Sequence, residues 1–535
     1  MDKVKIKING KTLQVEKGLN IIQAARLVEI EIPHFCYHDG LSIAGNCRMC
    51  MVEIENQPKL VPACATTVQE GMSILTESDK VKEARKAVLE LLLVNHPVDC
   101  PVCDQSGECK LQDYYMLYGL YDSRLRENKI KRAKAKRIGP HVVLDQERCV
   151  LCTSCIRYCK EIIKQRQLGL FQRGDYSYID IYEGQPFDNM YSGNVVDVCP
   201  VGALTDLDFR FKCRVWFLES TESICPGCSR GCNIYLHHQQ NKKYLGNGKR
   251  VFRIKPRFNA EVNKYWICDI GRYGLSYIDQ KRITQPKKKQ NSEYIPISWN
   301  EAFFEIAQII KSIIKKDPAS FAVILSPHLT TEELFVFNEF LNSIKCSNYH
   351  FSAISTNTYS DDFLIQKDKF PNINGAKLII KNALINSTEQ ILRKATQGAY
   401  KCLYIIGQDL VKAYGKDEIK TAFSKIETII GQFSNENQTT PLLHYLLPAA
   451  TFAEKKGTFI NFENRIQLIN QAFAPLENSR ADWEIIVDLA KEMGINLPYK
   501  SESEIWKKMK SVYSCFSNID YSKIGAQGLK LNIID

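Results

Sequence analysis

The pattern of apolar and polar residues at the start of the chain predicts a small β-rich domain followed by a helix. Residues 3–16 alternate between the two classes around Asn9 and Gly10, a dipeptide that favours a tight hairpin turn. An amphipathic helix is predicted from about Asn20 to Val28, and this order of elements suggests a β-grasp domain. A second helix is predicted from about Asp79 to Val94. Its apolar positions recur at helical spacing, at Val81, Ala84, Val88 and Leu91 or Leu92.

The pattern changes after about Ile283. Helical patterns such as that of residues 298–316 alternate there with short apolar runs, which is typical of a parallel α/β sheet. We expect strands at three of these runs, FAVILS, KLIIKN and CLYIIG. No apolar run approaches the roughly 20 residues that span a bilayer, so we expect no membrane-spanning segment.

Length and composition are those of a multidomain globular protein. The chain has 535 residues, 44% apolar and 24% charged, which is room for three or four domains if a domain averages roughly 150 residues. Its amino terminus is charged and strand-like, unlike a secretion signal. Part of the net charge of +11 lies in a basic run from Lys129 to Arg137. We expect this run to be a solvated linker, and a docking surface for an acidic partner is the alternative. No aromatic stacking platform or helix-turn-helix pattern accompanies it, so nucleic-acid binding is not expected.

The twenty cysteines are clustered, and only three of them follow Cys268. The others fall at short, regular spacings that indicate metal-ligating thiolates in a reducing compartment rather than disulfides. The first set consists of Cys36, Cys47, Cys50 and Cys64. It has the close pair and distant fourth member of a plant-type ferredoxin, with a longer first gap. The β-grasp context favours a [2Fe-2S] cluster here, and a structural zinc ion is the alternative.

The second set has only three cysteines, Cys100, Cys103 and Cys109, so one ligand is missing. His96 lies four residues before Cys100 and is the candidate for that ligand. Histidine replaces cysteine in Rieske centres, where it raises the reduction potential of the cluster. We therefore expect a histidine-ligated cluster whose potential differs from that of its neighbours.

The third set begins with the C-x2-C-x2-C triplet of bacterial ferredoxins, formed by Cys149, Cys152 and Cys155. Two residues compete to be its fourth member. Cys159 follows at the usual spacing but precedes a lysine, whereas Cys199 is distant but precedes a proline, as the fourth ferredoxin cysteine does. We expect Cys199 to close this set, and Cys159 is the alternative.

The fourth set predicts a further [4Fe-4S] site and consists of Cys225, Cys228, Cys232 and Cys268. Zinc is again the alternative, because a C-x2-C knuckle with a distant partner also suits zinc. Fifteen cysteines and one histidine thus supply four ligands to each of four sites. The cysteines outside the sets are expected to be buried small residues: Cys159, Cys213, Cys346, Cys402 and Cys515.

The first three sets, in this order, resemble those of the large iron-sulfur subunit (the G subunit) of NADH-quinone oxidoreductase (respiratory complex I). Four phrases carry the resemblance: HFCYHDGLSIAGNCRMCMVE, NHPVDCPVCDQSGECKLQD, ERCVLCTSCIRYC and VDVCPVGALTD. The resemblance implies one [2Fe-2S] cluster at the first set and [4Fe-4S] clusters at the second and third, with a histidine ligand in the second. The fourth set looks like an additional [4Fe-4S] site that some bacterial members keep.

The resemblance also implies a function. A subunit of this kind passes single electrons from a flavin on a partner subunit through its clusters to another iron-sulfur subunit and finally to quinone, while the whole complex translocates protons. It implies those subunits as partners and a peripheral place on the cytoplasmic face of the bacterial inner membrane, or on the matrix side in an organelle. No glycine-rich nucleotide loop, Ser/His/Asp arrangement or carboxylate pair stands out, so no catalytic residue is expected on this chain.

The carboxy-terminal half is similar to molybdopterin oxidoreductases, most clearly in ISWNEAFFEIA and LLPAATFAEKKGTFINFENRIQ. It looks like a truncated relative with a scaffolding role, and no molybdopterin is expected. NAD-linked formate dehydrogenases and iron-only hydrogenases carry similar amino-terminal cluster domains. A cluster-bearing subunit of either enzyme is therefore the alternative function.

These patterns together predict a multidomain chain of α+β and α/β class. The expected domains are a β-grasp [2Fe-2S] ferredoxin-like domain at residues 1–78, a His/Cys-ligated [4Fe-4S] domain with the basic linker at 79–138, a [4Fe-4S] ferredoxin-like domain at 139–217, a molybdopterin-oxidoreductase-type [4Fe-4S] domain at 218–277 and a degenerate molybdopterin-oxidoreductase-like α/β domain at 278–535.

Overall fold

The computed structural model of the chain describes residues 2–119, 122–241, 243–246, 248–380 and 387–533. The chain divides into two compact units, residues 1–218 and residues 219–535. In these described ranges, no helix is both long and apolar enough to cross a membrane.

The first unit opens with five strands and one short helix: β1 (Lys3–Ile8), β2 (Lys11–Glu16), α1 (Ile21–Arg26), β3 (Met51–Ile54), β4 (Val61–Pro62) and β5 (Ser73–Leu75). The strands form one sheet in the order β2-β1-β5-β3-β4, in which only the pair β1 and β5 is parallel. The predicted hairpin is confirmed, with Lys3 opposite Glu16. Its turn has positive φ angles at Asn9 (48°) and Gly10 (80°), as a tight hairpin turn of this type requires.

Helix α1 is shorter than predicted, because it ends at Arg26 instead of Val28. Asn20 is its N-cap and forms a capping box with Gln23. The apolar face of α1, including Ile21 and Ile22, is buried in the same core as the inward-facing residues of the sheet.

Two helices follow, α2 (Asp79–Leu93) and α3 (Lys110–Tyr118), and they contact each other. The predicted helix is confirmed, and of its predicted face Val81 is buried and Ala84, Val88 and Leu92 are half-buried, whereas Leu91 is 75% exposed. The fully buried residues of α2 are Val81, Arg85 and Leu89. Arg85 is tolerated there because its guanidinium donates to Glu77 (2.5 Å) and to the hydroxyl of Tyr118 (2.8 Å).

Seven elements complete the first unit: β6 (Lys136–Arg137), β7 (Val142–Leu144), α4 (Ser154–Glu161), β8 (Leu168–Phe171), β9 (Tyr178–Ile181), α5 (Asn194–Val198) and β10 (Leu204–Asp206). Strands β10, β7 and β6 form a three-stranded antiparallel sheet, and β8 pairs with β9. Of the third cysteine set, Cys149 and Cys152 lie in the loop before α4, Cys155 lies in the first turn of α4 and Cys199 is the C-cap of α5, so these two helices position it.

The second unit begins with three antiparallel strands and a short helix: β11 (Glu219–Ile224), β12 (Asn233–His238), β13 (Val251–Pro256) and α6 (Asp269–Tyr273). Most of the remaining chain alternates strands with helices. These elements are β14 (Lys287–Gln290), β15 (Glu293–Pro296), α7 (Trp299–Lys316), β16 (Phe321–Leu325), α8 (Thr331–Ser343), β17 (Asn348–Phe351), α9 (Ile373–Ile379), α10 (Thr388–Thr396), β18 (Cys402–Ile406), α11 (Leu410–Tyr414), α12 (Lys416–Phe423), β19 (Thr428–Phe433), β20 (Tyr445–Pro448), β21 (Gly457–Ile460), β22 (Arg465–Ile469), α13 (Asp482–Glu492), α14 (Glu502–Val512) and β23 (Leu529–Lys530).

A seven-stranded sheet in the order β15-β14-β20-β19-β18-β16-β17 forms the centre of this α/β part. Strands β20, β19, β18, β16 and β17 are parallel, and the hairpin β14-β15 adds an antiparallel edge. Alternate residues of β16 enter two different cores, Val323 on one face of the sheet and Ile324 on the other. Burial on both faces explains why these strands read as continuous apolar runs.

Two of the three predicted strands are confirmed, since FAVILS contains β16 and CLYIIG contains β18. The third prediction, KLIIKN, is wrong for residues 377–379, which belong to α9, while residues 381–382 lie outside the described part of the chain. Helix α9 buries Ile373, Ala376 and Ile379, a spacing of three residues. A short apolar run does not distinguish a strand from one face of a helix, and here the residues before the run decide.

Candidate metal-cluster sites

The first cysteine set is assembled by the loops of the five-stranded sheet. Cys50 precedes β3, Cys64 lies in a 3₁₀ turn after β4, and Cys36 and Cys47 lie in the loop between α1 and β3. Side-chain hydrogen bonds join Cys36 to Cys47 and to Cys64, and join Cys50 to Cys64. The structure therefore brings all four sulfurs of this set into one contact group.

The hydrogen bonds among these thiols separate their pKa values. They lower the pKa of Cys36 and Cys50 and raise the pKa of Cys47 and Cys64. The backbone N–H of Cys47 also favours the thiolate of Cys36. A set of adjacent thiols in which thiolate is already stabilised has the donor chemistry that an iron-sulfur cluster requires.

The second set lies between α2 and α3. Cys100 opens a short 3₁₀ turn, and Cys109 is the N-cap of α3. Burial raises the pKa of Cys103 and raises that of Cys109 to about 11, and the sulfurs of the three cysteines also act on one another electrostatically. A methyl group on Gly202 would overlap Sγ of Cys103, so this glycine leaves room beside the sulfur.

His96 lies in the loop that leads from α2 to Cys100. Its Nδ1 accepts a hydrogen bond from the backbone N–H of Val98 (3.1 Å), and burial lowers the pKa of the ring to about 4. The ring is therefore neutral at pH 7, as a metal-ligating imidazole must be. It lines a pocket together with Leu92 and Cys149. Cys149 belongs to the third set, and no cysteine of the second set lines this pocket in the described structure, so the role of His96 as a ligand of the second set stays a prediction.

The third set surrounds a small cavity in the first unit. Cys149, Cys152, Cys155 and Cys199 all line it, together with apolar residues such as Val201. Burial raises the pKa of these thiols, to about 12 for Cys149. Four buried sulfurs around one apolar cavity fit a bound cluster.

Cys159 does not line this cavity in the described structure. It lies one turn after Cys155 on α4, fully buried, and its thiol faces a different environment in which burial raises its pKa to about 12. The arrangement favours Cys199 over Cys159 as the fourth member, and the ligand itself stays a prediction.

Left-handed backbone recurs in the cysteine loops. Positive φ angles occur at Arg48 (57°), Val98 (51°), Leu151 (52°), Thr153 (61°) and Gly231 (63°). Such conformations cost about 1–3 kcal/mol each for residues with a side chain. They turn successive backbone N–H groups toward one side and so form concavities that bind anions. The N–H of Leu151, for example, donates to Sγ of Cys149 (3.4 Å).

One apolar core contains cysteines of the first three sets. Cys36, Cys47, Cys109, Cys149, Cys152 and Cys199 are members of this core or pack against it, with Phe35, Met49, Leu89, Leu111, Tyr114, Val201 and Ala203. The three sets are therefore close neighbours inside one packed unit, although about 160 residues of chain separate their first and last members.

Two arginines outside the cysteine sets, Arg157 and Arg214, hold the cysteine loops together. Arg157 on α4 donates to the backbone carbonyls of Cys36 (2.6 Å), Ser42 and Cys152 (3.4 Å), and so joins the first set to the third. Arg214 donates to the carbonyl of Cys103 (2.6 Å) in the second set. The phrase ERCVLCTSCIRYC shows that Arg157 is near the third set, but only the fold shows what it contacts.

The basic run was predicted to be a solvated linker; five of its nine residues are exposed, but several of its cations also contact the rest of the first unit. Lys129 donates to the backbone carbonyls of Leu93 (2.9 Å) and His96 (2.6 Å). Lys134 and Lys136 form ion pairs with acidic residues of the same unit, Asp99, Asp145, Glu147 and Asp180. Arg132 donates to the carbonyls of residues 175–177. These contacts join the run both to the loops of the second and third cysteine sets and to the β8-β9 hairpin.

The fourth set lies in the second unit, between β11 and α6. The N–H of Cys225 donates to the carbonyl of Cys232 (2.8 Å), and Cys268 is the N-cap of α6. All four cysteines of the set line a cavity of about 440 Å³. A methyl group on Gly271 would lie 2.8 Å from Sγ of Cys225, so a small residue is needed beside this sulfur.

The same cavity extends to the carboxyl ends of the parallel strands, where Ser326, Gly407 and Gln432 line it with Lys455 and Asp482. The polar groups there are already bonded to one another. Lys455 Nζ donates to Asp482 (2.7 Å), and Gln432 Nε2 donates to the other carboxylate oxygen of Asp482 (2.6 Å). Ion pairing of this kind satisfies buried charge without a ligand.

The cysteines outside the four sets are buried or half-buried, as predicted. Cys402 begins β18 and Cys346 precedes β17, and burial raises the pKa of both thiols. In the described part of the chain, no three His, Cys, Asp or Glu side chains are placed to hold a single metal ion.

Comparison with protein families matches five families along the chain. Residues 1–79 match the 2Fe-2S iron-sulfur cluster binding domain, and residues 85–124 match the NADH-ubiquinone oxidoreductase-G iron-sulfur binding region. Residues 139–205 match the ferredoxin-like domain of NADH-quinone oxidoreductase subunit 3. Residues 218–280 match the molybdopterin oxidoreductase Fe4S4 domain, and residues 282–383 and 372–492 match molybdopterin oxidoreductase. Domains that bind 2Fe-2S and 4Fe-4S clusters are therefore present, and the expected fold class is confirmed.

Curated relatives agree with these matches. The G subunit of NADH-quinone oxidoreductase from Rickettsia felis is 30% identical over 628 aligned positions, which cover 97% of this chain and 92% of that protein. The NADH-ubiquinone oxidoreductase 75 kDa subunit of Reclinomonas americana is 30% identical, covering 95% and 91%. The G subunit from Rickettsia bellii is 41% identical over 65% of this chain and 49% of that protein. A solved NAD+-reducing [NiFe]-hydrogenase chain is 26% identical over 40% of this chain and 91% of its own, with a TM-score of 0.36, too low to support an argument.

Proposed function

The chain belongs to the family of the NADH-quinone oxidoreductase G subunit, and we propose that it holds four iron-sulfur clusters, one of them [2Fe-2S] and three [4Fe-4S]. It is an iron-sulfur electron-transfer subunit of that oxidoreductase. The family assignment replaces the alternative of a formate dehydrogenase or hydrogenase subunit. The five-domain division predicted from the sequence is kept as part of the proposal.

The observation that carries the proposal is the shared core of the first unit. Cysteines from three sets pack there with the same apolar residues, and Arg157 joins two of the loops directly. Electron transfer requires several redox centres held close together at constant separation, and one rigid core provides this. Independent zinc sites would not need a common core.

The proposed ligands follow the four sets. They are Cys36, Cys47, Cys50 and Cys64 for the [2Fe-2S] cluster; His96, Cys100, Cys103 and Cys109 for the first [4Fe-4S] cluster; Cys149, Cys152, Cys155 and Cys199 for the second; and Cys225, Cys228, Cys232 and Cys268 for the third. Such clusters, when bound, accept and donate single electrons. The residues of the chain hold the sulfurs, exclude water by burial and direct backbone N–H groups toward the thiolates.

Partners and location follow from the family. We propose that the chain contacts the flavin-bearing, NADH-binding subunit and other iron-sulfur subunits of the complex. We place it as a peripheral subunit on the cytoplasmic face of the bacterial inner membrane, or on the matrix side in an organelle. The proposal includes no molybdopterin, because the polar side chains at the carboxyl ends of the strands, Lys455, Gln432 and Asp482, bond to one another. The α/β domain then acts as a scaffold.

Iron and acid-labile sulfide analysis of the full chain tests the proposal. About fourteen iron atoms per chain are expected, with EPR signals of one [2Fe-2S] cluster and of [4Fe-4S] clusters after reduction. Zinc in place of iron and sulfide would refute the proposal as a whole. About ten iron atoms would refute one of the three [4Fe-4S] clusters.

Substitution of His96 tests the histidine ligand. His96→Ala should remove or shift one [4Fe-4S] signal and leave the [2Fe-2S] signal, whereas His96→Cys should restore four irons with a lower cluster potential, because thiolate is an anionic ligand and imidazole is neutral. His141 is a control, because it is the histidine that follows His96 in the sequence and belongs to no cysteine set. A spectrum of His96→Ala identical to that of the wild type would rule out ligation.

A pair of serine variants tests the fourth ligand of the third set. Cys199→Ser should remove four irons, because this residue lines the cavity, whereas Cys159→Ser should keep every cluster. The reverse result would transfer the ligand role to Cys159. Iron content and EPR of the two variants, measured side by side, decide between them.

A further inference from the structure

A buried arginine contacts the second cysteine set. Arg148 directly precedes Cys149 of the third set, but its side chain turns toward the loop of the second. Nε donates to Oδ1 of Asp99 (3.0 Å) and Nη2 to Oδ2 (2.7 Å), and Nη2 also reaches the carbonyl of Val102 (3.4 Å). Asp99 and Val102 flank Cys100 on its two sides. The guanidinium therefore lies within the loop that carries His96, Cys100 and Cys103.

The arginine is also close to a sulfur. A methyl group added to Gly202 would overlap Sγ of Cys103 and would lie 3.5 Å from Cδ of Arg148, so the sulfur and the arginine stem flank the same point. Burial is the main influence on the pKa of Cys103 and raises it, while the charge of Arg148 opposes this effect and favours the thiolate. For Cys149 of the third set, the cation whose charge favours the thiolate is Arg132 and not Arg148. The charge of Arg148 thus acts on the second set.

Arg148 is more deeply buried than Lys134, the other cation that pairs with Asp99. Its side chain is 4% exposed, whereas that of Lys134, which pairs with the same carboxylate of Asp99 (3.4 Å), is 42% exposed. Asp145 contacts both cations, at 3.4 Å from Arg148 and 3.5 Å from Lys134. Because water screens exposed charges, the buried charge of Arg148 should affect a buried cluster more strongly than the equal charge of Lys134.

We propose that the Arg148–Asp99 pair sets the reduction potential of the cluster at the second set, with Arg148 raising it and Asp99 offsetting part of that effect. The inference rests on the proposed function, because it requires a cluster at His96, Cys100, Cys103 and Cys109. Reduction adds one negative charge to the site. A buried cation beside Cys103 stabilises the reduced form, and an adjacent carboxylate stabilises the oxidised form. Arg148 and Asp99 act on the cluster through their charges and are not ligands of it.

A redox titration monitored by EPR tests the inference on the full chain. Arg148→Gln should lower the midpoint potential of the second cluster, and Asp99→Asn should raise it. Lys134→Gln is the matched control, because it removes the same charge from the same carboxylate at an exposed position, and its shift should be the smallest of the three. Arg148→Lys should have a midpoint potential closer to that of the wild type than Arg148→Gln has, since lysine keeps the charge but loses the paired hydrogen bonds.

Opposite shifts distinguish an electrostatic role from a structural one, because a loosened loop would move the potential in the same direction in both variants. Equal midpoints in Arg148→Gln and wild type, or shifts of the same sign for Arg148→Gln and Asp99→Asn, would overturn the inference. If Arg148→Gln loses the cluster, Asp99→Asn decides alone, and a midpoint that is unchanged or lowered overturns it. A wild-type chain without the second [4Fe-4S] signal would instead refute the proposed function, and the inference with it.

Discussion

The two units of the chain use cysteine in different ways. In the first unit, cysteines of three sets are part of the apolar core itself, packed with residues such as Phe35 and Met49. In the second unit, the large cores belong to the two faces of the parallel sheet, and the four cysteines line a cavity beside it. A cluster in the first unit is thus expected to be a structural element of its fold, whereas a cluster in the second unit is expected to be an addition to a fold that is already packed.

The largest expected effect comes from removing one ligand in each unit. Cys152→Ser should lose the third-set cluster and also disturb the [2Fe-2S] signal and raise amide exchange around residues 36–50, because Cys152 and Cys36 share a core and both accept from Arg157. Cys228→Ser should lose four irons while amide exchange in β16, β18 and β19 stays as in the wild type. Iron analysis, EPR and hydrogen exchange measure this.

Equal damage to both units, or loss confined to one cluster in each, would remove the contrast between a structural and an added cluster. The two variants are matched, because each removes the middle member of a short cysteine motif and keeps its neighbours.

The next effect concerns the buried ion pair of the second unit. Glu333 accepts from Lys455 Nζ (2.7 Å) and from the backbone N–H of Asp482 (3.1 Å). Glu333→Gln should lower the free energy of unfolding of the second unit by about 2 kcal/mol, because it replaces a charge-assisted hydrogen bond from Lys455 by a neutral one, while Lys455 keeps its ion pair with Asp482. Thermal unfolding and hydrogen exchange measure this, and the cluster signals of the first unit should not change. A shift in those signals would contradict the independence of the two units.

Loss of Arg157 should affect the first unit by a similar or slightly smaller amount. Arg157→Met keeps the bulk of the side chain but leaves the carbonyls of Cys36 and Ser42 without this donor, which costs about 2 kcal/mol. The [2Fe-2S] absorbance should therefore be lost at a lower temperature. Arg173→Met, at an exposed position, is the control. Equal melting of the two variants would show that Arg157 does not support the cluster loops.

The last expected effect is a pH dependence of the second unit. Burial raises the pKa of Glu332 from 4.5 to about 7, and its carboxyl accepts from the N–H (2.8 Å) and hydroxyl (3.0 Å) of Thr458. The folded state keeps the proton in a range where the unfolded state has lost it. Stability from this group is therefore present below pH about 4.5 and is lost as the pH rises through about 7.

Glu332→Gln should flatten this dependence, because glutamine resembles the protonated carboxyl and the hydroxyl of Thr458 can reverse to accept from its amide. Melting temperatures of the second unit between about pH 5 and about pH 7.5 measure the slope. A slope as steep in Glu332→Gln as in the wild type would show that another group is responsible. The [2Fe-2S] signal serves as an internal control, since Glu332 belongs to the other unit.

Several local features were predictable because they depend on neighbours in sequence. The hairpin at Asn9 and Gly10 and the strands β16 and β18 are of this kind, since turn chemistry and apolar runs act over a few residues. The burial of Arg85 on α2 was not predictable in this way. Arg85 is buried because Glu77 and Tyr118 supply partners for its guanidinium, and Tyr118 lies on a different helix.

The contacts of the basic run likewise depend on segments that are distant in sequence. Most residues of the run are exposed, as predicted, but nothing in its sequence shows that its cations also pair with Asp99 and Asp180. Such pairs form between loops that are distant along the chain, so they become visible only in the folded molecule.

The sequence alone was enough to predict the four ligand sets and to identify the family, because the cysteine spacing within a loop reflects the local geometry around a cluster and can be recognised without knowledge of the fold. Only the folded structure shows which sets share a core, that Cys199 and not Cys159 lines the cavity of the third set, and which groups Arg148 and Arg157 contact. The physical reason is that burial and electrostatic contact depend on distances between segments far apart in the chain, and only packing sets those distances.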